Sequence, residues 1–163
     1  MNLYIQSIYL SMIDSTLILR FKQKEVAYAV VGGLAVSLHG AIRGTVDLDL
    51  VVNMELDNLL KVEEILTGLG MTARLPVSAH EIYNFRNEYI EKRNLVAWTF
   101  VDLKNPLKII DIIITHDLRD MSSQIFKTKM GDISVICKED LIAMKEYSGR
   151  PQDLEDIRAL KKL

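Results

Sequence analysis

A short apolar run that ends in two glycines and leads into an alternating segment constrains the fold of this chain most. Residues 26–31 (VAYAVV) are apolar and partly β-branched, and they end at Gly32 and Gly33. This pattern predicts a buried strand that turns into a helix over 34–39. In residues 45–52 (TVDLDLVV), an apolar side chain at every second position then alternates with a mostly polar set. We therefore expect a second strand with one apolar face.

Two carboxylates project from the other face of that second strand. Asp47 and Asp49 stand two residues apart, so in a strand they point the same way with Cα atoms about 6.6 Å apart. Carboxylates this close repel each other unless a cation lies between them, and hard oxygen ligands of this kind suit Mg²⁺. The alternative is the solvated outer face of an edge strand.

A third acid interrupts the most apolar segment of the chain. Residues 107–114 (LKIIDIII) predict a strand that is apolar on both faces and therefore central, with Asp111 in its middle. A buried carboxylate needs a partner, so we expect either a metal shared with Asp47 and Asp49 or a salt bridge to Arg or Lys. Three acids on adjoining strands can hold two divalent ions about 4 Å apart, the arrangement used in phosphoryl transfer.

The remaining pattern indicates one α+β (α/β) domain over 1–163, in which helices flank a mixed sheet of about five strands. The other predicted strands cover 95–103 and 133–137. The predicted helices cover 1–24 at the N-terminus, then 57–69, 78–93 and 117–127, and finally 138–147 and 151–160 within the C-terminal segment 138–163.

Composition narrows the classes of protein to which this chain can belong. Twenty Lys and Arg against 22 Asp and Glu give a formal net charge of −2, which gives no support to nucleic-acid binding by bulk charge. A single cysteine, Cys137, excludes an internal disulfide and fits a reducing cytosol. The first residues lack a basic signal-peptide region, and no uncharged run reaches the ~18 residues of a membrane span. We expect a cytoplasmic protein without a membrane segment.

Taken together, three features resemble the nucleotidyltransferase superfamily of the DNA polymerase β type. They are Gly32-Gly33, the run Asp47-Leu48-Asp49-Leu50, and the later Asp111. The prefix Arg43-Gly44-Thr45 and the tail over 138–157 look like small prokaryotic members, the AbiEii-like and antitoxin-like stand-alone proteins. The resemblance covers about residues 26–160 and implies a nucleotidyltransferase-like fold.

This resemblance implies an enzyme that uses Mg²⁺ or Mn²⁺ to move a nucleoside monophosphate from an NTP to a hydroxyl. By resemblance, the catalytic residues and metal ligands are Asp47, Asp49 and Asp111, and the last of them is also the candidate general base. The nucleotide-binding residues implied are Gly32, Gly33, Arg43, Thr45 and Lys145. Many members carry Ser where Gly33 stands, so this chain lacks that hydroxyl.

Alternatives stay open for several residues and for the function. Arg43 and Lys145 are also explained as exposed surface cations, and Asp153 and Asp156 as acids that charge the first turns of the last helix. Ser37 is explained by a bond to its own helix backbone. The acceptor is a protein, a small molecule or a tRNA end. A different function is an antitoxin-like module of the same fold, with weak or no catalysis, that binds a cognate toxin or partner protein.

Overall fold

The computed structural model describes residues 15–128 and 131–163, so the part of the predicted helix over 1–24 that precedes Ser15 lies outside the described residues. The described elements are, in chain order, α1 (Ser15–Gln23), β1 (Tyr28–Val30), α2 (Gly32–Leu38), β2 (Leu48–Val52), α3 (Leu56–Gly68), β3 (Met71–Ala73), α4 (Ala79–Arg93), β4 (Ala97–Asp102), β5 (Ile109–Ile113), a 3₁₀ turn (Leu118–Asp120), β6 (Ser123–Thr128), β7 (Gly131–Ile136), α5 (Lys138–Ser148) and α6 (Pro151–Leu160).

The strands form one mixed sheet in the order β3-β4-β5-β2-β1-β7-β6. β2 runs parallel to β5, and β1 runs parallel to β7, while the other neighbours are antiparallel. The predicted α+β fold with a mixed sheet and flanking helices is therefore confirmed. The predicted number of about five strands is wrong, because the described sheet has seven.

Two of the strands were not predicted. β3 has three residues, too few to show an alternation, and pairs with β4. The helix predicted over 117–127 is wrong: only the 3₁₀ turn forms there, and β6 follows it and pairs with β7 in six register positions. Those non-local hydrogen bonds decide the conformation of this segment, and strand formation depends on such context more than on local propensity.

The central position predicted for the segment over 107–114 is confirmed, since β5 lies between β4 and β2. Its two faces differ, however. Ile110 and Ile112 are buried in the core, whereas Ile109, Asp111 and Ile113 on the other face are only half-buried. Only one face of this central strand is therefore fully buried, and the other face leaves room for a cleft.

The two C-terminal helices close one side of the molecule. α5 ends at Gly149, whose φ of +64° is the left-handed geometry that favours glycine, and α6 begins directly afterwards with Pro151 in its first turn, as predicted. α5 packs against α6 and against α2, so these helices lie beside the glycine turn. Within the described part of the chain, no helix combines the length and the apolar character that crossing a membrane requires.

Candidate active site

A cleft of about 710 Å³ lies over the half-buried face of β5. One of its walls comes from α5 and α6, and the opposite wall comes from the end of α4 and the start of β4. Among the predicted site residues, those that line it are Gly32, Asp49, Asp111 and Lys145. The predicted site residues that do not line it are Gly33, Arg43, Thr45 and Asp47.

Two of the predicted acids are direct neighbours across the sheet. Asp49 of β2 is paired in register with Asp111 of β5. Neighbouring strands lie about 4.8 Å apart, and paired residues point to the same face, so both carboxylates face the cleft. The sheet register thus brings together two acids that are far apart in the sequence.

A threonine extends this row onto the next strand. Thr99 of β4 is the register partner of Asp111, and its hydroxyl donates a hydrogen bond of 2.5 Å to Asp111 Oδ1. Such short bonds from a hydroxyl to an ionised acceptor are among the strong ones. Among the described residues, the partner of Asp111 is therefore a hydroxyl and not the Arg or Lys of the alternative interpretation.

The environment of Asp49 disfavours its negative charge. Burial is the largest cause that raises the pKa of this carboxyl; with the charges of Asp111 and Asp47, and against the opposing effects of Arg150 and Lys145, the pKa reaches about 6. Both burial and the two neighbouring acids therefore disfavour the ionised form of Asp49. A cation bound beside this carboxylate would favour that form.

The glycine turn lies directly on Asp49. Gly32 has a φ of +64°, and a Cβ atom added there would overlap the Asp49 carboxylate. The backbone N–H of Val31 also donates to the Asp49 carbonyl oxygen at 2.9 Å. Both the backbone angle and the available space therefore require glycine at this position. The absence of a side chain lets the turn lie directly against the carboxylate.

The second glycine of the pair contacts a threonine. A Cβ atom on Gly33 would lie 2.9 Å from the Thr45 Cβ, so a serine at this position would have to displace that side chain. Thr45 in turn donates a hydrogen bond of 3.3 Å to the Asp47 carbonyl oxygen. Thr45 therefore occupies the space beside the turn that a larger residue 33 would need.

Asp47 stands at the edge of the site. The strand predicted over 45–52 begins only at Leu48, so Asp47 precedes it and is exposed. It is still close enough to Asp49 for its charge to act on that carboxyl. In residues 15–128 and 131–163, no three His, Cys, Asp or Glu side chains are grouped closely enough to hold a metal ion as they stand.

Lys145 is buried, so its interpretation as an exposed helix lysine is wrong. Its ammonium group lies 3.1 Å from Asp153 Oδ1 and 2.7 Å from Asp156 Oδ2, and both of these aspartates are also buried. Arg150 Nε binds Asp153 at 3.0 Å, and Arg43 Nε binds Asp156 at 3.2 Å. We call these five side chains the charge network.

The charge network changes the interpretation of its outer members. Arg43 is partly buried and ion-paired, so it is more than a surface arginine, and its partner is Asp156. Asp153 does cap α6, as predicted, by accepting from the Arg150 backbone N–H at 3.2 Å. Both aspartates additionally hold Lys145 at the wall of the cleft, a role that was not predicted.

Ser37 is accounted for by local hydrogen bonds. Its one hydroxyl proton is shared between the Arg43 carbonyl oxygen, at 2.7 Å from Oγ, and the Gly33 carbonyl oxygen, at 3.2 Å. The interpretation as a buried serine bonded to backbone is therefore confirmed. Through these two bonds Ser37 also fixes the loop that carries Arg43 against the glycine turn.

Sequence reasoning did not select His116 and Tyr147, which also line the cleft. Their rings meet edge to face with centroids 5.4 Å apart, and Thr115 Oγ1 lies 2.9 Å from His116 Nδ1. Burial lowers the pKa of His116, and the charge of Arg86 lowers it further, so both effects favour the uncharged imidazole. A signal was available, since His116 lies two residues after the predicted strand over 107–114 that carries Asp111.

Comparison with known proteins places the fold. No family model matches the sequence, and no curated protein matches it. The structure is similar to an antigenic nucleotidyltransferase-like protein from Paracoccidioides brasiliensis, with 16% identity over 89% of this chain and 72% of that chain and a TM-score of 0.52.

It is also similar to two structures of the antibiotic-resistance factor ANT(2'')-Ia. The alignment with the solution structure has 12% identity, covers 95% of this chain and 82% of that chain, and has a TM-score of 0.56. The crystal structure is a complex with adenylyl-2''-tobramycin. Its alignment has 12% identity, covers 98% of this chain and 88% of that chain, and has a TM-score of 0.55. At these identities the likeness establishes the fold alone, which is nucleotidyltransferase-like. The narrower resemblance to AbiEii-like and antitoxin-like proteins stays a prediction.

Proposed function

We propose that this chain is a nucleotidyltransferase that moves a nucleoside monophosphate from an NTP to a hydroxyl group and releases pyrophosphate. The observation that carries the proposal is the register pairing of Asp49 with Asp111 beneath the Gly32 turn. It combines paired carboxylates for divalent ions, a close backbone turn and, in Lys145, a fixed cation in one cleft. The nucleotidyltransferase-like fold supports it.

The donor set at the site fits Mg²⁺ or Mn²⁺. Magnesium takes one or two carboxylates and completes its shell with water and substrate phosphate, so Asp49 and Asp111 suffice and a third protein ligand is not required. The crowded negative charge around Asp49 favours a divalent cation there. Asp47, exposed beside the pair, would add a ligand from the mouth of the site. When bound, the metal neutralises and polarises the transferring phosphoryl group.

The side chains divide the remaining work between the two walls. Asp111 accepts the proton of the attacking hydroxyl, whose oxygen forms the new bond to the α-phosphorus as the bond to pyrophosphate breaks. Thr99 holds one oxygen of this carboxylate, which leaves the other for that proton or for the metal. Lys145 and Arg150 lie on the α5–α6 wall, where they offset the charge of the triphosphate and of the departing pyrophosphate.

A small molecule is the acceptor class that the cleft supports. Its volume of about 710 Å³ lies within the roughly 300–1,000 Å³ typical of small-molecule sites. The similar protein ANT(2'')-Ia was crystallised with adenylyl-2''-tobramycin, a nucleotide joined to a small hydroxyl compound. We therefore place a small-molecule acceptor before a tRNA end or a protein side chain.

The test combines nucleotide binding with label transfer. The purified chain is melted with Mg²⁺ and each NTP, and is then incubated with α-labelled NTPs and a small-molecule extract. We expect stabilisation and a labelled product from the wild type and from Asp57→Asn, a surface control whose carboxylate is exposed. Asp49→Asn should lose both, because a ligand that binds only the folded state stabilises it. Melting curves that no nucleotide shifts, together with a partner protein that co-purifies stably, would favour the toxin-binding module.

A further inference from the structure

We propose that the acceptor of this reaction is an uncharged alcohol with an apolar or aromatic ring, bound on the cleft wall beyond Asp111. This inference rests on the proposed nucleotidyl transfer and deepens it by naming the substrate class. The surface concerned, which we call the acceptor wall, consists of Ile90, Leu95, Val96, Ala97 and Ile113, all lining the cleft.

The acceptor wall begins immediately beside the proposed base. Ile113 lies two residues beyond Asp111 on the same face of β5, and Ala97 of β4 is its register partner. Val96 adds an apolar residue that is 58% exposed. A ligand that covers it would remove this apolar surface from water, which is favourable. A molecule whose hydroxyl reaches Asp111 from this side therefore rests on hydrocarbon.

In-line displacement assigns this wall to the acceptor and not to the leaving group. The attacking and leaving oxygens lie on opposite sides of the transferring phosphorus. The cations that suit pyrophosphate, Lys145 and Arg150, lie on the α5–α6 wall. The attacking hydroxyl consequently enters from the other side, where Asp111 and the acceptor wall are.

The charges of the cleft disfavour a polycationic acceptor. Of the described residues that line it, only Asp49, Asp111 and Asp153 are acidic. The first two are the proposed metal ligands, and Asp153 is already bound by Lys145 and Arg150. Ammonium groups of an acceptor would thus lose water without finding a free carboxylate, which is costly.

Two aromatic rings complete the surface. His116, in the segment after β5, and Tyr147, on α5, both line the cleft and meet edge to face. Burial lowers the pKa of His116 and so favours its uncharged form, and the tyrosine side chain is mostly exposed. Exposed aromatic groups of this kind pack well against the planar ring of a ligand.

The experiment measures acceptor binding with the nucleotide already in place. The chain is saturated with Mg²⁺ and the α,β-methylene analogue of the NTP that stabilises it most in the melting experiment; the α–β linkage of this analogue resists cleavage. Binding of phenyl β-D-glucoside and of tobramycin is then followed by saturation-transfer NMR. We expect binding of phenyl glucoside and weaker or absent binding of tobramycin. Val96→Asp should weaken binding of phenyl glucoside about tenfold, a loss of about 1.4 kcal/mol.

The matched control is Leu103→Asp, because Leu103 is also exposed, at 74%, and does not line the cleft. Leu103→Asp should change the binding of neither phenyl glucoside nor tobramycin. Neither variant should alter binding of the nucleotide analogue. The inference is overturned by phenyl glucoside that fails to bind the nucleotide-loaded wild type, that competes with the analogue, or that binds Val96→Asp equally well. Tobramycin that binds as tightly would also overturn it.

The two proposals fail in different ways. If Mg²⁺ and the analogue do not bind at all, the proposed nucleotidyl transfer falls, and the acceptor assignment falls with it. If both bind normally but the ring compound does not, only the inference about the acceptor wall is lost.

Discussion

Replacing Asp49 by asparagine should stabilise the metal-free protein, although it destroys the proposed site. The pKa of Asp49 is about 6 in the folded chain against an ordinary 3.8. Since each tenfold change in acidity corresponds to about 1.36 kcal/mol, the ionised carboxylate costs folding about 3 kcal/mol at pH 7.5. Asparagine removes the charge but keeps a buried polar group. We therefore expect a gain of about 1–2 kcal/mol in the free energy of unfolding, or about 2–8 °C in Tm.

The pH dependence of this gain has a defined sign. A carboxyl whose pKa is raised by folding is protonated in the folded state first, so the wild type becomes relatively more stable as the pH falls from above 6 towards 3.8. The advantage of Asp49→Asn should be full at pH 7.5 and should shrink through this window. Urea unfolding in EDTA at pH 7.5 and 4.5 measures both values.

Magnesium should reverse the order of the two proteins. A ligand at 100 times its Kd stabilises the state that binds it by about 2.7 kcal/mol, and only the wild type retains the pair of Asp49 and Asp111. Asp57→Asn, with its exposed carboxylate, should follow the wild type in every condition. The reasoning is refuted if Asp49→Asn is less stable than the wild type in EDTA at pH 7.5, or if its advantage does not narrow at pH 4.5.

Three further substitutions test other parts of the site. Gly32→Ala forces a side chain into a positive φ and onto the neighbouring carboxylate, so urea unfolding should show a loss of about 1–2 kcal/mol or more. Gly68→Ala, in the last turn of α3 and with open space around it, should instead be neutral or stabilise by up to about 1 kcal/mol. Lys145→Met leaves two buried aspartates with fewer partners and should lower the free energy of unfolding by about 3 kcal/mol. Replacing Lys161 by Met, which removes an exposed ion pair, should lower it by less than about 0.5 kcal/mol. Equal losses would contradict this expectation. Thr99→Val should weaken Mn²⁺ binding, read by electron paramagnetic resonance, about 10-fold or more, while Thr99→Ser keeps the hydroxyl and the affinity.

Local sequence pattern sufficed for the elements that carry the candidate site. The apolar run before Gly32, the alternation around Asp49 and the apolar segment around Asp111 all predicted strands, and strands form there. The first and last residues of these strands were less well predicted, because the ends of a strand depend on the strands that pair with it. β2 starts at Leu48, where its pairing with β5 begins, and Asp47 is consequently left in the loop.

What the sequence did not reveal depends on contacts between distant residues. The partner of Asp111 is Thr99, which is defined by the register of β4 and β5 and not by any local motif. Lys145 looked like a surface residue because its two acidic partners lie on the next helix. The segment of β6 was predicted as a helix because its bonds to β7 have no signature within its own residues.

The charge network has a consequence for how this protein can vary. Arg43, Lys145, Asp153 and Asp156 belong to three separate stretches of the chain, yet the ion pairs among them make their side chains depend on one another. Loss of one leaves a buried charge with fewer partners, so a second change elsewhere becomes advantageous. Homologues that replace Lys145 by a neutral residue should therefore carry a compensating loss of acid at 153 or 156, as a linked exchange between the two C-terminal helices.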